Sequence, residues 1–126
     1  MVPWRDNRLP VPLFEVKEIE LRPDCRVIEL AGELDLAVAD EFAEALERAK
    51  NYRVILVDLS NCEFVDSTGL AVFVHAHNDR RREDREFALF AATDQVRRVL
   101  AVTGLVESGL VFENAEEALE ALPSPS

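Results

Sequence analysis

Apolar and charged residues alternate along the chain in two different periods, one typical of strands and one typical of helices. Residues 14–21 carry apolar side chains separated by polar ones, which predicts an extended segment at the edge of a sheet. Residues 25–31 are rich in strand-forming residues and stop at Gly32, where we expect a turn. Residues 54–59 form the most apolar run, which predicts a strand covered on both faces.

Helical periodicity appears between these strands. An amphipathic helix is predicted from Ala39, with an apolar face made of Ala39, Phe42, Ala43, Leu46 and Ala49. Asp35 stands just before it and is predicted to cap its free amides. A second helix is predicted from Ser67 to Arg82 after a loop at 60–65. The remaining predicted elements are strands at 87–91 and 110–112, and helices at 95–102 and 115–122.

Strands that alternate with helices predict an α/β fold. With 126 residues, the chain is long enough for one domain and too short for two independent cores. Residues 1–13 contain three prolines and no periodic apolar face, which predicts a flexible N-terminal arm. The domain is expected to span residues 14–122, followed by a disordered tail at 123–126.

Composition narrows the classes of function. A net charge of −11 and a pI of about 4.6 argue against nucleic acid and favour a partner with a basic docking surface. No apolar run approaches the length of a membrane span, so we expect no membrane insertion. Cys25 and Cys62 are expected to be reduced thiols in a cytoplasmic protein, with Cys62 a small buried residue.

The segment that carries chemistry is Asp-Ser-Thr-Gly-Leu at residues 66–70, directly after the predicted loop. This position places Asp66 or Ser67 at the start of a helix, where unpaired amides favour negative charge. A phosphate on Ser67 would be stabilised there, and Gly69 would allow a close approach of another backbone. Taken alone, the same residues also fit an ordinary helix N-cap.

Several motifs occur in a defined order along the chain. They are Gly-Glu-Leu-Asp at 32–35, Val-Ile-Leu-Val-Asp-Leu-Ser at 54–60, the segment 63–70, the segment 96–105 and Glu-Glu-Ala-Leu at 116–119. Together they resemble the STAS family, the domain shared by sulphate transporters and anti-sigma factor antagonists. The resemblance covers about residues 14–122, and its most specific part is Asp-Ser-Thr-Gly-Leu with the apolar strand before it.

The resemblance implies a single STAS-like domain, with a small mixed sheet flanked by about four helices. In the antagonist branch, the serine after the aspartate is phosphorylated by an anti-sigma factor that is also a serine kinase, and here that serine is Ser67. The unphosphorylated form binds the anti-sigma factor and frees a sigma factor. Phosphorylation blocks this binding, and a phosphatase restores it.

The resemblance also implies which residues contact the partner. Asp66, Ser67, Thr68 and Gly69 match the motif, and Asp35 matches the loop at the same end of the fold. It implies no cofactor and no enzymatic activity, and it is compatible with a homodimer. Other soluble STAS proteins are scaffolds, subunits of stress-signalling complexes, or accessory subunits of lipid-transport ABC systems, and these stay alternatives.

Where the family often turns with a glycine, residues 80–86 read Arg-Arg-Arg-Glu-Asp-Arg-Glu, which predicts a solvated helix end or, alternatively, a docking patch. Three rival functions are disfavoured. A receiver domain would use Asp58, but neither lysine lies near a suitable strand end. His75 and His77 point roughly 200° apart on a helix, so they cannot share a metal ion. Four glycines supply no phosphate-binding loop for a nucleotide hydrolase.

Overall fold

The computed structural model describes residues 14–123, in which five strands form one sheet that four helices cover. The predicted arm at 1–13 and residues 124–126 of the predicted tail lie outside the described residues. The strands are β1 (Phe14–Arg22), β2 (Cys25–Leu34), β3 (Val54–Val65), β4 (Glu86–Phe90) and β5 (Val111–Phe112). The helices are α1 (Ala39–Arg48), α2 (Ser67–Arg82), α3 (Asp94–Val102) and α4 (Ala115–Ala121).

The five strands lie side by side in their sequence order. β1 is antiparallel to β2, whereas β2, β3, β4 and β5 run parallel. The prediction of an α/β fold with a mixed sheet and about four helices is therefore confirmed. Because parallel strands end at the same side of a sheet, the loops that lead into α1, α2 and α3 lie together. We call this side the carboxyl edge.

The core has two layers, one on each face of the sheet. Helices α1, α2 and α3 cover the face that carries Ile28, Ile55 and Val57, and α4 covers the other face through Ala118. On the first face, the rings of Phe42 in α1 and Phe73 in α2 meet edge-on, with centroids 5.5 Å apart. Burial of a phenylalanine side chain contributes about 1.5–3 kcal/mol, so this contact holds the two helices together.

Two predicted boundaries at the carboxyl edge are wrong. The chain does not turn at Gly32, and residues 60–65 are not a loop, because β2 continues to Leu34 and β3 continues to Val65. These extensions pair with each other in parallel, with Gly32 opposite Cys62 and Leu34 opposite Val65. The polar residues Ser60 and Asn61 point to solvent, while Cys62 and Val65 are buried. Pairing between two strand ends therefore overrides the loop-like composition.

Two side-chain predictions also need correction or refinement. In α1, Ala43 is exposed and Ala45 takes its place in the core. Cys25 and Cys62 are free and buried, as predicted for Cys62. Burial raises the pKa of both thiols, that of Cys62 to about 11, which keeps it protonated and unreactive near neutral pH.

The prediction that the arginine run at the end of α2 is solvated is wrong for Arg80. Its side chain is only 6% exposed, although Arg81 and Arg82 lie in solvent. The guanidinium donates to the carbonyl oxygens of Glu86 (2.9 Å), Lys50 (3.2 Å) and Tyr52. Burial, with a smaller effect of Arg85, lowers the pKa of Arg80 to about 10. Arg80 is thus still charged at neutral pH and joins the end of α2 to two segments, the turn at 50–52 and the start of β4, through their carbonyls.

Candidate functional site

Ser67 is the first residue of α2, at the carboxyl edge, and its side chain is exposed. Asp66 caps the helix: its backbone is extended and its Oδ1 accepts a hydrogen bond from the Gly69 amide at 3.0 Å. The predicted helix start is therefore confirmed, with Asp66 as the N-cap. The free amides of the first turn lie beside Ser67, where they favour an anion.

Asp66 also joins the start of α2 to the neighbouring loop. Its Oδ2 accepts from the Leu36 amide at 3.2 Å, and its own amide donates to the Leu34 carbonyl at 3.0 Å. Both carboxylate oxygens are thus occupied by backbone amides and do not bind the Ser67 hydroxyl. The carboxylate orders two segments of the carboxyl edge.

Asp35 lies at the same end of the fold, as expected, but it does not cap α1. The N-cap of α1 is Val38, which has no side-chain capping bond. The Asp35 Oδ1 instead accepts from the Ala37 amide at 3.0 Å, and its carbonyl accepts from the amides of Val38 and Ala39. The carboxylate stands too many residues before the helix to reach its first turn and closes the loop instead.

Gly69 packs where no other residue fits. A Cβ atom there would lie 2.8 Å from Cγ of Leu34 and 2.9 Å from Cγ1 of Val65. The glycine therefore lets the first turn of α2 sit directly on the ends of β2 and β3. The close approach predicted from the sequence is real, but the partners are side chains of the core and not another backbone.

Thr68 is half-buried and lines a groove of about 660 Å³ between α1 and α2. The groove contains mostly small and apolar side chains near the site, among them Ala43, Leu46, Ala71 and Val72. His75 is exposed and also borders it. The groove is lined by Thr68, the residue after Ser67, and continues along α2 to Glu83, whereas Ser67 itself does not line it.

His77 is half-buried, and burial together with Arg81 lowers its pKa. Within residues 14–123, no cluster of three or more His, Cys, Asp or Glu side chains could hold a metal ion. In the same part of the chain, no helix is long and apolar enough to cross a membrane. The site thus consists of an exposed hydroxyl, a helix start and the surfaces beside them.

Charge around Ser67 is of one sign. The two segments that build this part of the carboxyl edge, residues 33–41 and 60–70, contain no lysine or arginine. They do contain six carboxylates, on Glu33, Asp35, Asp40, Glu41, Glu63 and Asp66. A partner that binds here would gain from a basic surface. Leu36 stands among these acids, 74% exposed, and sequence reasoning missed it because a single leucine in a loop has no periodic pattern.

The model of the STAS domain matches residues 16–118. The anti-sigma-B factor antagonist of Listeria monocytogenes is 40% identical over 94 residues, which cover 73% of this chain and 81% of that protein. The crystal structure of an anti-sigma factor antagonist from Mycobacterium paratuberculosis superposes with a TM-score of 0.75 at 23% identity, over 86% of this chain and 92% of the other.

A third relative is the Bacillus cell fate determinant SpoIIAA in its phosphorylated form. Its structure superposes with a TM-score of 0.68 at 19% identity, over 84% of this chain and 97% of the other. The family match spans most of the chain, and the Listeria relative is similar over most of both sequences. The chain therefore belongs to the STAS domain family and is of the anti-sigma factor antagonist type.

Proposed function

We propose that this protein is an anti-sigma factor antagonist that phosphorylation of Ser67 switches off. The unphosphorylated form binds an anti-sigma factor that is also a serine kinase, and a sigma factor is released. Phosphorylation of Ser67 by that kinase blocks binding, and a phosphatase reverses the modification. The cytoplasm is the compartment in which this exchange takes place.

The observation that carries this proposal is the exposed Ser67 at the start of α2, beside segments 33–41 and 60–70, which contain no lysine or arginine. A hydroxyl at this position can enter a kinase active site without unfolding the domain. The amides of the first turn of α2 would then stabilise the phosphate. SpoIIAA of Bacillus, which has the same fold, was solved in a phosphorylated form, which supports the proposal.

Charge explains how the modification would stop binding. A phosphate adds about −1.5 to −2 charge beside Asp66. The segments 33–41 and 60–70 supply no lysine or arginine to neutralise it. A partner surface that fits the unphosphorylated serine would have to desolvate this added charge, which is costly. The switch in this proposal is electrostatic and acts at the docking surface itself.

The protein acts as a kinase substrate in this scheme and not as an enzyme. Both oxygens of Asp66 are held by backbone amides, so that this carboxylate is not placed as a general base for Ser67. The Listeria relative and the Mycobacterium neighbour are named as anti-sigma factor antagonists, which agrees with a binding role.

The proposal is tested by incubating the full-length protein with ATP and each anti-sigma factor kinase encoded in its source genome. Intact-mass spectrometry should show the addition of one phosphoryl group, and fragmentation should place it on Ser67. Ser67→Ala should not be modified, whereas Ser60→Ala, which removes another exposed serine of the same edge, should be modified at the wild-type rate.

Two results would contradict the site or the function. A phosphate on Thr68 would show that the wrong hydroxyl was assigned. If no kinase modifies the protein, and affinity capture with the full-length protein returns an ABC ATPase, an accessory role in lipid transport would replace the phospho-switch.

A further inference from the structure

Leu36 is an exposed apolar residue in the loop between β2 and α1. Leu36 is 74% exposed. Among residues 14–123, the other exposed large hydrophobic residues are Ile19 (43%), Leu21 (45%), Phe64 (39%) and Val102 (87%), so only Val102 is more exposed. A single exposed leucine is ordinary in a folded protein. Its surroundings therefore decide whether it has a function.

The backbone around Leu36 is held from both sides. Its amide donates to Oδ2 of Asp66, the N-cap of α2, at 3.2 Å. The next amide, that of Ala37, donates to Oδ1 of Asp35 at 3.0 Å. The Asp35 carbonyl accepts from the amides of Val38 and Ala39. The loop is thus ordered before any partner arrives, which lowers the entropic cost of binding through Leu36.

The charges around Leu36 define the kind of surface that fits it. Leu36 is surrounded in sequence by Glu33, Asp35 and Asp40, and Asp66 contacts its amide. No lysine or arginine occurs in residues 33–41 or 60–70. An apolar side chain flanked by acidic residues is complementary to an apolar pocket that is bordered by lysine or arginine.

Leu36 is also connected to Ser67 through one side chain. Asp66 accepts from Leu36 with one oxygen and from Gly69 at the start of α2 with the other. A phosphate on Ser67 would repel the Asp66 carboxylate and compete for the same helix amides. Phosphorylation would therefore weaken the hydrogen bond that orders the Leu36 loop, in addition to its direct repulsion of the partner.

We propose that Leu36 is the apolar anchor of the docking surface and determines which anti-sigma factor the protein recognises. Its partner is a basic surface of the anti-sigma factor with an apolar pocket. This inference rests on the proposed function, since it assumes that the anti-sigma factor docks at the Ser67 end. Burial of a leucine contributes about 1.5–3 kcal/mol, so its removal should weaken binding about tenfold or more.

The test measures the affinity of full-length variants for the kinase that phosphorylates Ser67, by titration calorimetry. Leu36→Ala should bind about tenfold or more weakly, and Leu36→Met, which keeps the apolar volume, should recover most of the affinity. Val102→Ala is the matched control, because it also shortens an exposed apolar side chain, at the end of α3 away from this surface. Its affinity should equal that of the wild type.

The outcomes separate this inference from the function on which it rests. If the wild type binds and Leu36→Ala binds equally well, the anchor is disproved and the phospho-switch stands. If no kinase binds or modifies the wild type, the proposed function fails and the anchor fails with it. If Leu36→Ala changes only the self-association seen by analytical ultracentrifugation, the surface belongs to a second copy of the chain and the inference is overturned.

Discussion

The two ends of helix α2 lie in opposite chemical surroundings. At its start, Ser67 is exposed, Asp66 caps the amides, and residues 60–70 contain no cation. At its end, Arg80 is buried and its guanidinium donates to three backbone carbonyls. The same helix therefore has one end in solvent and the other anchored in the core.

This difference separates stability from recognition. The contacts of Arg80 are buried, and losing them removes the side-chain donor of the Glu86 carbonyl and leaves the other two carbonyls to Arg85 alone. We therefore expect the end of α2 to contribute strongly to folding. The Ser67 hydroxyl makes no such buried contact, and a change there should alter binding much more than folding. Substitutions along α2 and its caps can test this separation directly.

The largest effect on stability is expected from Arg80→Ala. The variant removes the side-chain donor of the Glu86 carbonyl and leaves the carbonyls of Lys50 and Tyr52 to Arg85 alone. Together with the lost packing of the buried side chain, this should lower the free energy of unfolding by about 3 kcal/mol. Urea denaturation followed by circular dichroism measures this loss. The matched control is Arg81→Ala, an exposed neighbour, whose effect should stay within about 0.5 kcal/mol. Equal effects of the two substitutions would show that the buried contacts of Arg80 do not contribute to the free energy of unfolding.

The next effect is expected from Gly69→Ala. The added methyl group would lie within 3 Å of Leu34 and Val65, so overpacking should cost about 1–3 kcal/mol of unfolding free energy. A double-mutant cycle with Leu34→Ala, which removes two of the three clashing atoms and leaves Cγ1 of Val65, isolates the contact with Leu34. In the Leu34→Ala background the cost of Gly69→Ala should shrink. An unchanged cost in both backgrounds would refute the close packing at this position.

The smallest of the three effects is expected from Asp66→Ala. Loss of the N-cap should cost about 1 kcal/mol of unfolding free energy, because the amides of Gly69 and Leu36 lose their acceptor. Asp66→Asn retains one uncharged capping oxygen for the Gly69 amide but places an NH2 group where Oδ2 accepts from the Leu36 amide, so its loss should be smaller than that of Asp66→Ala. Denaturation of both variants under the same conditions makes the comparison. A loss in Asp66→Asn as large as in Asp66→Ala would mean that the charge, and not the cap, stabilises this end.

The fold was largely predictable because strands and helices that bury one face have periodic sequences. The apolar run at 54–59 and the helix at Ser67–Arg82 were identified in this way. The extension of β3 to Val65 was not, because its polar residues look like a loop and the reason for the strand is its pairing with β2. Pairing between distant segments leaves no local pattern in a sequence.

The site was predictable only in part, for a similar reason. Asp66 was correctly placed at a helix start, since capping depends on neighbouring residues. The burial of Arg80 was missed because its acceptors are backbone carbonyls, which any residue carries. The exposure of Leu36, and its hydrogen bond to Asp66, depend on how two loops meet in the folded chain.

The central claim is that the Ser67 end of α2 is a docking surface that phosphorylation closes. The direct measurement is a competition experiment in which the protein, with or without phosphate on Ser67, is added to a complex of the anti-sigma factor kinase and its sigma factor. Unphosphorylated protein should release the sigma factor, and the phosphorylated form should bind about 100-fold more weakly and release little. Equal release by both forms would contradict the account.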